Sequence, residues 1–181
     1  MPKNKSSKTR IINSEPHKLY VETLLVTELS FYNRMKEYTG ISDRVILFEY
    51  MKIYLSHVMN GVNLRYKNSL LKDPDLRLYV KLTNFLFLTE LTDIQWANSS
   101  LVGDSKYPTS NGNEVILTKK TLGAFTSYMN SKKFDFTYDH AAALFSKDLW
   151  GESDDPLDAS YQPYVAGFAS VAYVFLIYIL N

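Results

Sequence analysis

The 181-residue chain has no cysteine, which excludes disulfides, thiolate zinc sites and thiol nucleophiles. Histidine is nearly as scarce, at His17, His57 and His140. None of the three is followed by glutamate, and no two lie three or four residues apart. The HExxH pattern, which sets two imidazoles one helical turn apart with a general base between them, is therefore missing. The 7 glycines and 6 prolines are scattered. They build no phosphate-cradling loop, dinucleotide fingerprint or nucleophile elbow. Charge of one sign is also lacking: 20 Lys and Arg stand against 19 Asp and Glu, a balance that gives no support to a polyanionic partner such as nucleic acid. An apolar stretch of the kind that opens a secretory signal is absent from the N-terminus, MPKNKSSKTR, which is basic and reads as a solvated leader over residues 1–18.

What is present is an apolar fraction of 46% against 22% charged residues, enough for one domain with a single substantial core. The stretch LYVETLLVTEL, Leu19 to Leu29, is rich in Leu, Val and Thr and reads as a strand. FYNRMKEYTG follows, with Gly40 as a stop. Ser42 is a candidate N-cap, with Asp43 in the first turn of a long helix, DRVILFEYMKIYLSHVMNGVNLRY. Leu47, Met51, Leu55, Val58 and Val62 recur at spacings of three and four and so share one face. Gly61 marks a place where that helix frays.

After the Asp73-Pro74 turn signal, LRLYVKLTNFLFLTEL, Leu76 to Leu91, reads as a second strand. Its change from alternating to continuous apolar residues predicts a bend partway. Polar loop material runs from Thr92 to Asn113. Thr118 is the expected cap of a shorter helix, KKTLGAFTSYMNSKKF, with Leu122, Phe125 and Met129 on one face. YDHAAALFSKDLWG, Tyr138 to Gly151, holds an uncharged run between polar turn formers, the mark of a buried third strand. Strands alternating with helices predict an α/β domain with a mostly parallel, twisted sheet and right-handed crossover helices.

Taken in order, LYVETLLVTE, YLSHVMNGVNLRYKNSL, TLGAFTSYMN, YDHAAALFSKDLWG and YVAGFASV resemble the reprolysins, the adamalysin, ADAM and ADAMTS-type zinc metalloendopeptidases. The resemblance spans Leu19 to Val171. It implies a metzincin-like fold with a partial metalloprotease domain over residues 19–171. It also implies zinc-dependent cleavage of internal peptide bonds in the intact family, a peptide or protein substrate, and secretion. Trp150 stands where the family has cysteine. The family holds zinc through HExxHxxGxxH, and this chain lacks that motif. The expectation is thus a framework incomplete at its C-terminal end, truncated before the zinc helix, with no catalytic residue and no zinc ligand. Gly167, Phe168 and Ala169 resemble the edge strand that lines the family's substrate cleft. Glu22 matches the first-strand glutamate that contributes to a structural calcium site in many reprolysins, and Asp93 is a looser candidate for a second carboxylate.

The last segment, YVAGFASVAYVFLIYIL, Tyr164 to Leu180, carries no charge. Three readings compete for it: a buried edge strand with an extension, a C-terminal membrane anchor, and an unfolded apolar end. The first is preferred for Tyr164 to Val171. Residues 172–181 are set apart as an apolar tail of different origin. Asn98, in Asn98-Ser99-Ser100, is the better placed of two N-glycosylation triplets, the other starting at Asn4. Beside the proteolytic family stands a non-catalytic alternative, a binding or decoy module working through its sheet edge or a membrane-anchored fragment.

Overall fold

Strand β1, His17–Thr27, is the frame on which the other elements assemble. The structure, a computed structural model, describes residues 16–69, 76–98, 101–102, 115–152, 161–162, 167–169 and 174–178. The basic leader up to residue 15, the Asn4 triplet and the Asp73-Pro74 turn lie outside the described residues. Strand β1 begins at His17, so the leader ends earlier than residue 18.

The remaining elements are α1 (Leu29–Thr39), α2 (Arg44–Ser69), β2 (Leu76–Phe87), α3 (Gln95–Asn98), β3 (Leu101–Val102), β4 (Val115–Leu117), α4 (Thr118–Ser131), β5 (His140–Phe145), β6 (Leu149–Glu152), β7 (Tyr161–Gln162), β8 (Gly167–Ala169) and β9 (Val174–Tyr178). The main sheet has the order β2-β1-β5-β9-β8. β1 runs parallel to β2 and β5, and β5 runs parallel to β9. Only β8 is antiparallel, to β9. A smaller sheet has the order β3-β4-β6-β7. The chain is therefore a mixed α/β domain with a mostly parallel sheet.

Alternation along β1 divides the core. Leu24 and Val26 face one layer with Ala141, Ala143, Phe145 and the α4 residues Leu122, Phe125 and Met129. Leu25 faces the other with Ala142, Leu144, Phe31 and Met35 of α1, and Leu47, Met51, Leu55 and Met59 of α2. A sheet covered by helices on both sides selects runs such as LLV and AAALF. The small Ala141, Ala142 and Ala143 let both helical layers approach β5.

Strand β2 bends where expected, through a bulge. Thr23 is opposite Leu82 and Leu24 is opposite Asn84, so Thr83 is an extra residue. Its hydroxyl donates to the Thr23 carbonyl at 3.1 Å. The insertion reverses the side-chain parity. Val80 and Leu82 before it, and Phe85 and Phe87 after it, consequently pack on the same α2 layer. The strand ends at Phe87 rather than Leu91.

Several boundaries differ from expectation for identifiable reasons. FYNRMKEYT lies in α1, whose start is capped by Glu28 and whose end is closed by Gly40 at φ 68, a left-handed conformation that glycine adopts without strain. Asp43, not Ser42, caps α2: its Oδ1 accepts from Val45 N at 2.9 Å and Ile46 N at 3.0 Å. Helix α2 passes through Gly61 to Ser69. Thr118 is the buried first residue of α4, while Leu117 sits at the cap without a side-chain bond. The third strand splits. β5 stops at Phe145, Ser146 to Asp148 turn, and β6 joins the smaller sheet parallel to β4, which buries Trp150 against Val115 and Leu117.

The apolar end is also reassigned. β9 lies between β5 and β8, so the tail set apart at residues 172–181 contains an interior strand of the main sheet. VFLIY is the continuous apolar run such a strand selects. Among the described residues no helix is long and apolar enough to cross a membrane, and the described parts of Tyr164 to Leu180 are strands.

Candidate functional site

The strand that the resemblance assigns to a substrate cleft, Gly167–Ala169, is the outermost strand of the main sheet. It pairs on one side with β9, Gly167 opposite Ile177, Phe168 opposite Leu176 and Ala169 opposite Phe175. On its other side no described residue pairs with it. A free strand edge presents backbone N–H and C=O groups that an extended peptide can satisfy.

Midway along β1, two acidic residues far apart in sequence meet through the backbone of Glu22. Asp139 N donates to the Glu22 carbonyl at 2.8 Å, and Glu22 N donates to Asp139 Oδ2 at 2.8 Å. The Glu22 carboxylate accepts from Lys81 Nζ at 2.9 Å. Asp93 is elsewhere, in the turn after β2, where its N–H donates to Glu90 O at 3.1 Å. It lies beside Tyr128 of α4, whose phenol is pushed above its ordinary range first by burial and then by the Asp93 charge. The second acid near Glu22 is thus Asp139. Its signal in the sequence is its place one residue ahead of the strand that pairs with β1.

The three histidines do not converge. His140 begins β5 opposite Thr23, and His17 is six residues earlier on β1, about 20 Å along a strand. His57 is exposed on α2. His140 instead lines an apolar cavity of about 230 Å³ with Val21, Met59, Val62, Tyr66 and Val80. Among the described residues no group of three or more His, Asp or Glu could hold a metal ion. Among the described residues, which include all three histidines, no set fits a catalytic zinc.

The carboxyl ends of parallel strands are the usual place for ligands in α/β sheets, and here the ends of β1 and β5 carry a hydrogen-bonded cluster. Glu28, buried at the end of β1, accepts from Ser30 N at 2.8 Å and Phe31 N at 3.1 Å, and also from the Ser30 hydroxyl. Ser146, just past β5, reaches Ser30 Oγ through its N–H at 3.3 Å and its hydroxyl at 3.1 Å. Burial raises the Glu28 pKa, opposed by the Ser30 and Phe31 bonds and by the charge of Lys147. Its carboxylate caps α1. The cluster ties the turn after β5 to the start of α1. Sequence reasoning passed over it because Glu is not among the favoured cap residues.

Asn98 is the last residue of α3 rather than part of a loop, and Ser99 and Ser100 lie outside the described residues. No protein-family profile matches the chain, and no curated protein matches it.

Proposed function

We propose that the chain carries the sheet framework of a reprolysin-type metalloendopeptidase domain, a metzincin-like fold. In this reading the 181 residues act as a non-catalytic module that binds extended peptide along β8. The observation that supports it best is topological. LYVETLLVTE and YDHAAALF form adjacent parallel strands, and YLSHVMNGVNLRYKNS belongs to the helix packed across them. The GFA stretch, assigned by resemblance to a cleft edge, is the outermost strand of the same sheet.

Peptide hydrolysis by this family needs imidazole donors around a metal and a glutamate base beside the bound water. His17, His57 and His140 do not supply that set, so no hydrolytic step is assigned. Binding rests on main-chain complementarity, with the peptide adding a strand beside β8. Calcium is the metal that the resemblance carries into this reading, with Glu22 and its hydrogen-bonded partner Asp139 as the acidic residues that would contribute. Ca²⁺ takes six to eight oxygen ligands and Lys81 competes for Glu22, so the affinity is weak. Secretion belongs to the same reading, because the family acts outside the cell.

The test uses fluorescence-quenched and fluorescently labelled peptides of mixed sequence. Incubation with zinc is expected to give no chelator-sensitive hydrolysis, while polarisation is expected to detect binding that Phe168→Pro weakens. Chelator-sensitive cleavage would overturn the non-catalytic reading. Absence of binding by the folded chain would overturn the peptide-binding one.

A further inference from the structure

Helix α2 is apolar on two opposite faces. Leu47, Met51, Leu55 and Met59 are buried against the sheet. On the other side Val45 is 70% exposed, Ile46 58%, Tyr50 38%, Ile53 62% and Leu64 58%. Exposed apolar side chains gathered on one helix face mark an interaction surface.

The stripe is regular. Ile46, Tyr50, Ile53, His57, Asn60 and Leu64 follow one another at steps of four, three, four, three and four, the spacing of a coiled-coil seam. We propose that this face docks a second copy of the chain, with the two α2 helices antiparallel about a two-fold axis midway between Ile53 and His57.

Three features favour this occupant and this direction. The seam is self-complementary under that axis: Ile46 meets Leu64 of the other copy, Ile53 meets His57, and the polar pair Tyr50 and Asn60 meet each other. The charges at the ends also match, with Asp43 opposite Lys67. A parallel pairing would set Asp43 on Asp43 and Lys67 on Lys67. Away from the seam, Glu49 is paired with Lys52 at 2.6 Å and Arg44 with Glu90 at 3.9 Å within each copy, so these charges do not face the other copy unpaired.

The area sets the strength. A 26-residue helix is about 39 Å long and about 10 Å wide, roughly 400 Å² of face per copy. That is below the standard interface of ~800 Å² per partner, so the dimer is a weak one that dissociates on dilution.

The absence of cysteine permits a direct test on the full chain. Sedimentation between about 1 and about 300 µM is expected to show monomer giving way to dimer, and Ile53→Glu to abolish that shift while leaving the melting transition in place. In an equal mixture of Ile46→Cys and Leu64→Cys chains, oxidation is expected to give the mixed disulfide. Ile46→Cys alone is expected to give none, because the two copies of that position lie ~27 Å apart. A wild-type chain that stays monomeric throughout, a dimer indifferent to Ile53→Glu, or efficient self-cross-linking by Ile46→Cys would each overturn the proposal. The first result would leave the stripe to a partner other than this chain.

Discussion

Asp139 and Glu22, 117 residues apart in sequence, are joined by two hydrogen bonds of 2.8 Å, one in each direction. One bond is main chain to main chain and extends the β1–β5 pairing by a residue. The other brings a carboxylate to a backbone N–H that would otherwise be left at a free edge. Asp139→Ala removes the second and is expected to lower stability by about 1 kcal/mol, the ordinary net contribution of one exposed bond. Asp139→Asn, which keeps an acceptor oxygen, is expected to lose less. Urea denaturation of the three proteins measures the difference.

The same pair predicts a response to calcium. Millimolar Ca²⁺ is expected to raise the melting temperature of the wild-type chain by about 2–4 °C for each kcal/mol of binding linkage. Glu22→Gln and Asp139→Asn are expected to remove the effect, since neutral amides are poorer ligands for a hard cation. A calcium-induced rise that survives both substitutions would place the ion elsewhere.

How far these relationships can be read from sequence depends on their range. LLV in β1 and AAALF in β5 announce buried parallel strands because continuous apolar runs suit a sheet covered on both faces. Helix α2 is announced by its periodicity. The Glu22–Asp139 contact follows from the register of two strands distant in sequence, so Asp139's place just ahead of β5 announces it only once that register is known. Helix α1 was hidden because it buries only Phe31 and Met35 and starts at a glutamate cap. β3, β4, β6 and β7 are two to four residues long, too short for any periodicity. The second apolar face of α2 has no separate signal, because outward and core-facing apolar residues repeat with the same helical period.

Glu28 predicts a pH dependence with a definite sign. Its folded-state pKa lies above the ordinary glutamate value, first because of burial. Between the unfolded and folded pKa the native state holds more protons, so stability falls as pH rises through that window. Glu28 therefore favours the fold most below the unfolded value and loses that contribution as it ionises. Glu28→Gln cannot ionise. Denaturation midpoints followed upward from about pH 4.5 are expected to show the wild-type chain losing ground relative to Glu28→Gln. A difference that is flat, or of opposite slope, would mean that the Ser30 and Lys147 interactions outweigh burial.

Thr83 predicts a contrast between deletion and substitution. Thr83→Ala keeps the bulge and loses only the hydroxyl bond to Thr23, at an expected cost of about 1 kcal/mol. Deleting Thr83 restores a regular ladder but turns either Val80 and Leu82 or Phe85 and Phe87 away from the α2 layer, since a one-residue slip exchanges the two faces. The deletion variant is expected to lose its cooperative unfolding transition. Calorimetry of both variants distinguishes a bulge that sets side-chain parity from one that merely bends the strand.

The two faces of α2 should respond oppositely to truncation. Met51 is fully buried against the sheet, and Met51→Ala removes packed atoms from a layer whose neighbours relax only in part, at an expected cost of about 2–5 kcal/mol. Ile53, two residues on, points away from that layer, and Ile53→Ala is expected to change monomer stability by no more than about 0.5 kcal/mol. Chemical denaturation must be carried out at low micromolar protein, so that self-association along the stripe does not add to the wild-type value. Repeating it at high concentration should open a gap between wild type and Ile53→Ala while leaving the Met51→Ala deficit unchanged. A large loss for Ile53→Ala at low concentration would show that the residue is covered within a single copy and that the exposed seam does not exist.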